Sequence, residues 1–345
     1  MSSARSRSPL VVRGNAAPER PATDCNPLVR HREPDEVMLH TDHMRVDPAY
    51  REALRAAGLD RVAHVLGRTD GRVAAWSRTT ETLYVPSPGD RPGFFVKRYY
   101  YGDWSRRLRG ALRGTFVGAH RGLAEYRLLR EMRHLGLPAV RPVACGTRRV
   151  GHFVVASFLV TEEVPGARNM TSWASDVQAG RLVLPIATRR AVGRRLARQV
   201  ARMHAAGFAH GQLFWRNTLI RFDLVGQPEF FFLDVRPRRG GRRMARRPRW
   251  WLFELAHLAA SALPFSTRTE RLRFLHEYYG ARRLSPDFKE HYREIDRLTR
   301  RWLAHEQKRI RMNDLFEKWN RDLLAETGGT GKTDTPSAGP MEPHS

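Results

Sequence analysis

Hydrophobic and polar positions alternate with two different periods along the chain. From Gly71 the period is two: Arg72–Trp76, Thr80–Val85 and, after the turn Pro86 to Asp90, Gly93–Tyr99 read as an antiparallel meander. A helical period then runs from Leu123 to Leu135 and stops at Gly136 and Pro138, and two further strands are predicted over Pro142–Arg148 and His152–Glu162. Ahead of the meander, Asp47 as cap and Pro48 at the first helical position predict a short helix to Gly58, with a further turn from Asp60 to Leu66. Residues 1–45 mix Arg, Pro, Ser and Asp without periodicity and read as a mobile extension.

Beyond Glu163-Val164-Pro165-Gly166, where Pro and Gly close a long apolar strand, the period becomes 3.6. Thr188 can cap a helix to about Ala206 with Val192, Leu196, Val200 and Met203 as its buried stripe, and helices follow over Trp250–Leu263, Thr269–Tyr279 and Pro286–Leu324. Between the first two of these helices lies HGQLFWRNTLIRFDLVGQPEFFFLDVR, in which an apolar-flanked turn at Asp223–Gln227 precedes a buried-strand pattern, Phe230–Leu233, that ends on Asp234. The tail from Glu326 is rich in Gly, Thr, Pro and Ser and reads as disordered. Its GTGKT is not a phosphate loop, because Glu326 stands where the leading Gly belongs and no strand precedes it.

Composition changes this picture mainly through charge. The 345 residues carry 61 Lys+Arg against 35 Asp+Glu, a formal +26, so the surface attracts polyanions: nucleic acid, a phosphorylated glycolipid or an anionic membrane face. Hydrophobic residues make up 41%, enough for a sizeable core. Cys25 and Cys145 are far apart and outside any CxxC spacing, which supports neither a disulfide framework nor a zinc site. The Arg-rich amino terminus has no apolar run behind it, and the longest apolar run, Phe153–Val160, is too short to span a bilayer, so a cytoplasmic, soluble or membrane-peripheral protein without signal peptide is expected. The basic, aromatic stretch Tyr99–His120 carries Trp104, Leu108, Leu112 and Phe116 near helical spacing; it is either an amphipathic element on an anionic surface or, more commonly for such patterns, a solvated helix packing one apolar stripe.

Candidate chemistry concentrates at few positions. Two short strands joined by a turn would bring Asn217 beside Asp234, and an amide oxygen with a carboxylate is a hard-oxygen pair suited to Mg²⁺, although an ordinary hairpin with polar ends has the same pattern. Lys97 sits on a strand among Phe94, Phe95 and Val96, where a lysine either snorkels to solvent or meets an anion. Glu125 shares a helix face with Leu128, Leu129 and Met132, so it either wants a cation or complements the helix dipole. Eight arginines occupy the fourteen positions 236–249.

Taken in order, these pieces resemble the protein-kinase-like fold and, more closely, the lipopolysaccharide core kinase (Kdo/heptose kinase) family. The matching stretches are FFVKRYY, LAEYRLLREMRHLGLPAVRPVA, RMHAAGFAHGQLFWRNTLI, FFLDVRPRRG, and WLFELAHLAAS with RFLHEYYG, covering roughly residues 50–280. The resemblance implies an α+β, two-lobed fold: an N-lobe over 46–163 with a five-stranded antiparallel sheet and one main helix, and a mostly helical C-lobe over 164–325. It implies ATP and Mg²⁺ as cofactors. Lys97 would hold the α and β phosphates and pair with Glu125, Asn217 and Asp234 would bind the metal, and the backbone near Glu163 would meet adenine.

Two departures qualify the resemblance. No GxGxxG precedes Lys97; the first turn is Ser77-Arg78-Thr79-Thr80, so phosphate contacts there would use hydroxyls, backbone or Arg78. The loop position of the catalytic Asp is Gln212, whose amide takes no proton at neutral pH but can align a hydroxyl. The first functional reading is therefore an ATP-dependent kinase for a sugar of an anionic envelope glycolipid, with Arg236 and Arg238 meeting the acceptor. The alternative is a nucleotide-binding pseudokinase or scaffold. Specific nucleic-acid binding ranks behind both, since charge is its only support.

Overall fold

The computed structural model describes residues 40–77, 80–101, 119–236, 239–280 and 285–328. It divides into two compact units: residues up to Ala167 together with Phe230–Gly241, and Arg168–Glu229 together with the chain from Arg242. The basic segment 102–118, the GTGKT tail, Cys25, Arg78 and Arg238 lie outside the described residues.

The first unit runs β1 (His40–Val46), α1 (Arg51–Ala56), α2 (Val62–Gly67), β2 (Arg72–Ser77), β3 (Thr80–Val85), β4 (Phe94–Tyr100), α3 (Arg121–His134), β5 (Pro142–Val150) and β6 (Phe153–Glu162). Its antiparallel sheet has the order β1-β5-β6-β4-β3-β2, six strands where five were expected. The added edge strand β1 lies largely within the stretch read as a mobile extension. Its sequence, HTDHMRV, mixes polar residues onto both faces and so carries no hydrophobic period; what fixes it is the neighbouring edge. Asp42 stands opposite Arg148 of β5 and accepts from its guanidinium at 3.0 and 2.9 Å.

Strand alternation gives the sheet two different faces. Phe94 and Val96, with Val143, Ala144, Phe158 and Val160, form the core beneath Leu54, Leu59 and Val65 of the α1–α2 segment. Lys97 and Tyr99 leave β4 on the opposite side, toward α3, which buries Tyr126, Leu129 and Met132. This helix begins two residues before its expected start, because His120 caps it by accepting from the Leu123 amide at 3.2 Å. At Gly122 it comes so near β6 that a Cβ would lie 2.4 Å from the Phe158 carbonyl oxygen.

The segment Phe230–Gly241 belongs to this unit through backbone pairing. The Phe232 amide donates to the Pro138 carbonyl at 2.9 Å and the Val140 amide to the Phe232 carbonyl at 3.0 Å, a short parallel bridge to the stretch just after α3. Further on, Gly241, at φ +79°, passes so close to α3 that a Cβ would lie 2.8 Å from Leu128 Cδ2. Asp234 is thereby anchored on both sides to α3 and its exit.

The second unit is mostly helical: β7 (Arg168–Asn169), α4 (Met170–Gln178), α5 (Ile186–Ala205), β8 (Thr218–Phe222), the start of β9 (Pro228–Phe232), α6 (Trp250–Ala262), α7 (Arg268–Tyr279) and α8 (Pro286–Gly328). Helix α4 was not expected. It is nine residues long with only Met170, Trp173 and Ala174 buried, too little apolar periodicity to stand out, and Asn169 caps it by accepting from the Thr171 and Ser172 amides. Helix α5 starts at Ile186 with Pro185 as its cap residue, one half-turn before Thr188. The turn after β8 is set by Asp223, whose Oδ1 accepts from the Val225 and Gln227 amides at 3.0 and 2.7 Å. Helices α4 to α8 line a partly open cavity of about 440 Å³, where Trp173, Leu196, Leu255, Leu258 and Ile295 sit beside the charged Arg189, Glu270 and Arg271. Among the described residues no helix is long and apolar enough to cross a membrane.

The approach at Gly122 yields a stability test. In Gly122→Ala the added methyl meets backbone, which cannot rotate away, so unfolding free energy should fall by about 1–3 kcal/mol, read as a lower urea midpoint at unchanged m-value.

Candidate active site

In the first unit, Lys97 is the centre of a small ionic cluster. Its Nζ lies 3.2 Å from both oxygens of Glu125 and also contacts Asp234 Oδ1. Strand β4 supplies the lysine, α3 the glutamate and the segment after Phe232 the aspartate, so three separate pieces of chain converge on one ammonium. Burial disfavours the Lys97 ammonium, but Glu125, Tyr99 and Asp234 outweigh it and hold the pKa well above the ordinary lysine value. Glu125 is 4% exposed, and burial raises its pKa against the opposing pull of Lys97. Asp234 has φ +61°, one of two non-glycine residues with positive φ among those described. Left-handed backbone is unfavourable for an L side chain and clusters at functional sites, where surrounding structure enforces it.

Arginines lie near this cluster. Arg236 is exposed; partial desolvation and then the nearby Arg239 and Arg121 charges lower its pKa, while Asp234 raises it. The Arg236 guanidinium thus feels two like charges and one opposite charge.

At the end of β6, Glu163 is committed internally. Its carboxylate accepts from the Tyr84 hydroxyl and the Gly93 amide, each at 2.9 Å, and its own amide donates to the Gly93 carbonyl at 2.8 Å. The Glu162 amide donates to the Arg141 carbonyl at 2.9 Å. Backbone near Glu163 can thus offer a flat ligand the Val164 amide and neighbouring carbonyls, but not the Glu163 N–H.

In the second unit, the loop after α5 carries His210, Gln212 and Asn217. Its backbone is held by an acid the sequence did not bring forward: Glu254 of α6 accepts from the His210 amide at 2.6 Å and the Gly211 amide at 2.9 Å. The Gln212 amide donates to His210 Nδ1 at 3.3 Å, and the Gln212 carbonyl accepts from the Phe214 amide and from Asn217 Nδ2, at 2.8 and 2.9 Å. That last bond uses the nitrogen of the Asn217 amide and turns its oxygen, the hard ligand, away from Gln212. His204 packs below, with burial and then His210 holding its imidazole at about 3, hence neutral, and its Nδ1 lies 2.7 Å from the Tyr278 hydroxyl. A lone Glu in the otherwise apolar run WLFELAHLAAS was the signal for Glu254.

Three sets of residues expected at the site thus have definite places. Lys97, Glu125 and Asp234 are brought together, Gln212 and Asn217 share one hydrogen-bonded loop, and Arg236 lies near Asp234. Among the described residues no group of three or more His, Cys, Asp and Glu is placed to hold a metal by itself. Hard oxygen donors are present in each unit taken separately: the Asp234 carboxylate in the first and the Asn217 amide oxygen in the second. Cys145 is buried, and burial pushes its thiol up to about 11, which leaves it chemically inert.

A strand lysine paired to a helix glutamate, with an aspartate in strained backbone beside it, is the arrangement of kinase-like enzymes. The family model described as lipopolysaccharide kinase (Kdo/WaaP) matches residues 60–279. The chain belongs to this family. Among curated relatives it is 29% identical to the lipopolysaccharide core heptose(I) kinase WaaP of Pseudomonas aeruginosa over 194 residues, 55% of this chain and 70% of that one. To the 3-deoxy-D-manno-octulosonic acid kinase of Pasteurella multocida it is 23% identical over 173 residues, 50% of this chain and 65% of that one. A solved structure of WaaP in complex with acyl carrier protein superposes with TM-score 0.51 at 24% identity, covering 74% of this chain and 99% of that one. The chain thus has the two-lobed, α+β, protein-kinase-like fold, and its family acts as kinases on sugars of lipopolysaccharide.

Glu254 generates a prediction. Burial pushes its carboxyl from 4.5 up to about 7, against the two amide hydrogen bonds. The folded chain therefore holds this proton more tightly than the unfolded chain, so the stability it contributes is full below about pH 4.5 and falls as pH rises towards 7. Unfolding free energy of wild type minus Glu254→Gln, from urea melts, should decline across that window and level off above it. Glu254→Ala, which strands two buried amides, should cost about 2–5 kcal/mol.

Proposed function

We propose that this chain transfers the γ-phosphate of ATP to a hydroxyl of a sugar in a lipopolysaccharide-type glycolipid. The observation that carries the reading is the Lys97 ammonium bracketed by Glu125 and Asp234. Phosphoryl transfer needs positioning and charge neutralisation more than covalent help. Lys97 would bind the α and β phosphates, with Glu125 holding it in place. Asp234 and Asn217 would carry Mg²⁺, which when bound neutralises the phosphate oxygens. The Val164 amide and adjacent carbonyls would meet the adenine edge, while Glu163 shapes that stretch through Tyr84 and Gly93. Arg236, with Arg238, would take the anionic groups of the acceptor through bidentate contacts.

Gln212 favours a second reading, nucleotide binding without turnover, because an amide cannot accept the acceptor's proton. In the kinase reading its oxygen aligns the hydroxyl, and the proton leaves with the transferred phosphoryl group. The deciding assay is transfer of γ-³²P from ATP to purified envelope glycolipid. Wild type should label the glycolipid, Asp234→Ala should not, and Lys97→Met should lower the rate by on the order of 10²–10³. A rise in melting temperature with ATP and Mg²⁺ but no labelling, reversed by Gln212→Asp, would establish the binding-only reading. Loss of ATP binding in Arg236→Ala equal to its loss of acceptor binding would remove that residue from the acceptor side.

A further partner is proposed from the second unit. Its partly open cavity of about 440 Å³, with an apolar wall formed by Trp173, Leu196, Leu255 and Leu258, is of ligand size, and the structurally similar WaaP is in complex with acyl carrier protein. An acyl chain delivered by such a carrier would suit the apolar wall of the cavity. Leu258→Trp, which fills the cavity, should abolish co-purification of an acyl carrier protein while leaving the far-UV circular dichroism unchanged; undiminished co-purification would count against this partner.

A further inference from the structure

Tyr99 lies two residues after Lys97 on β4, so both side chains leave the same face of the strand. It is 1% exposed, and its hydroxyl donates to Glu125 Oε2, the same carboxylate that Lys97 approaches at 3.2 Å on both oxygens. One turn before Glu125 on α3, Arg121 lays its guanidinium over the Tyr99 ring, 4.7 Å from the centroid. The helix thus holds this one side chain at two points, through a cation over the ring and a carboxylate on the hydroxyl. Between those points Gly122 lets α3 approach to where a Cβ would lie 2.4 Å from the Phe158 carbonyl oxygen.

A buried carboxylate with a single partner is costly and free to turn about its last torsion; a second donor fixes the plane of the group. If Lys97 is drawn toward a bound phosphate, a carboxylate without another donor would lose much of its compensation. Tyr99 supplies a neutral donor that stays with Glu125 in either case. In many kinases this lysine–glutamate pair is made and broken by movement of the helix. Here three contacts on one turn of α3 oppose such movement.

We propose that Tyr99 is a positioning residue that keeps Glu125 aimed at Lys97 whether or not an anion is bound, so that the ion pair is permanently assembled and is not a switch. The phosphate-binding role of Lys97 that makes this matter rests on the function proposed above; the Tyr99–Glu125–Lys97 arrangement does not.

The full chain and its Tyr99→Phe variant, which keeps the ring under Arg121 and removes only the hydroxyl, provide the test. Two measurements separate this proposal from the functional one. The first needs no nucleotide: acylation of individual lysines by acetic anhydride, followed by mass spectrometry. Loosening Glu125 should make Lys97 react several-fold faster in Tyr99→Phe, as it does in a Glu125→Gln control, while Lys289 and Lys308 react as in wild type. Equal Lys97 reactivity in wild type and Tyr99→Phe, with Glu125→Gln faster, overturns the proposal. The second is calorimetric binding of MgADP and the Michaelis constants in turnover. Tyr99→Phe should bind MgADP about tenfold more weakly and raise the nucleotide KM while leaving the acceptor KM unchanged. Loss of folded protein alone would lower kcat and leave the nucleotide KM in place, and that outcome also overturns the proposal. If wild type fails to bind MgADP while Lys97 reactivity rises in Tyr99→Phe, the nucleotide reading fails and the positioning role stands.

Discussion

One ammonium between two carboxylates is the interaction on which the first unit's chemistry depends. Lys97, Glu125 and Asp234 bring one more negative than positive charge into a largely buried site, an arrangement that is costly unless each oxygen is met by a donor. Arginines nearby offset the surplus: Arg121 lies over the Tyr99 ring, and Arg236 interacts with the Asp234 charge. Holding the three groups together requires backbone contacts far stiffer than the side chains themselves: the Gly122 seat on β6, the Phe232 bridge to Pro138 and Val140, and the close passage of Gly241 over Leu128. Charge placement here is a product of glycine positions and strand pairing as much as of the charged residues.

The second unit solves a different problem, the rigidity of a loop. A carboxylate accepting two successive backbone amides, as Glu254 does from His210 and Gly211, fixes the entry to the loop, and the Asn217 amide bonded to the Gln212 carbonyl fixes its far end. Side chains between these ties project from a frame with little freedom. Gln212 stands on this frame with a fixed backbone and an amide side chain that has no basicity at neutral pH.

Most of the fold was legible because its elements carry clear periods. Strands β3 and β4, helix α3 and the stripe of α5 each bury residues at the spacing their sequences advertise, whereas the described residues of β2 from Arg72 to Ala75 are exposed. Strand β1 and helix α4 were not legible, one because its partner β5 supplies its order through Asp42 and Arg148, the other because three buried residues on nine are too few to set a period. The same division runs through the site. Lys97, Glu125 and Asp234 stood out as charges in apolar surroundings. Tyr99 did not, since a tyrosine in FFVKRYY looks like core until its hydroxyl is seen on Glu125, and the internal use of the Glu163 amide depends on Gly93, seventy residues away in sequence. Long-range partners of neutral groups leave no local trace.

The backbone at Asp234 has a consequence for how the family can drift. A positive φ admits glycine freely and, among side chains, chiefly Asp and Asn, whereas β-branched or bulky residues are excluded by their own Cβ contacts. Glycine would forfeit the carboxylate that meets Lys97, and asparagine its charge. Conformation and the ion pair with Lys97 therefore narrow the choice independently and meet at a single amino acid.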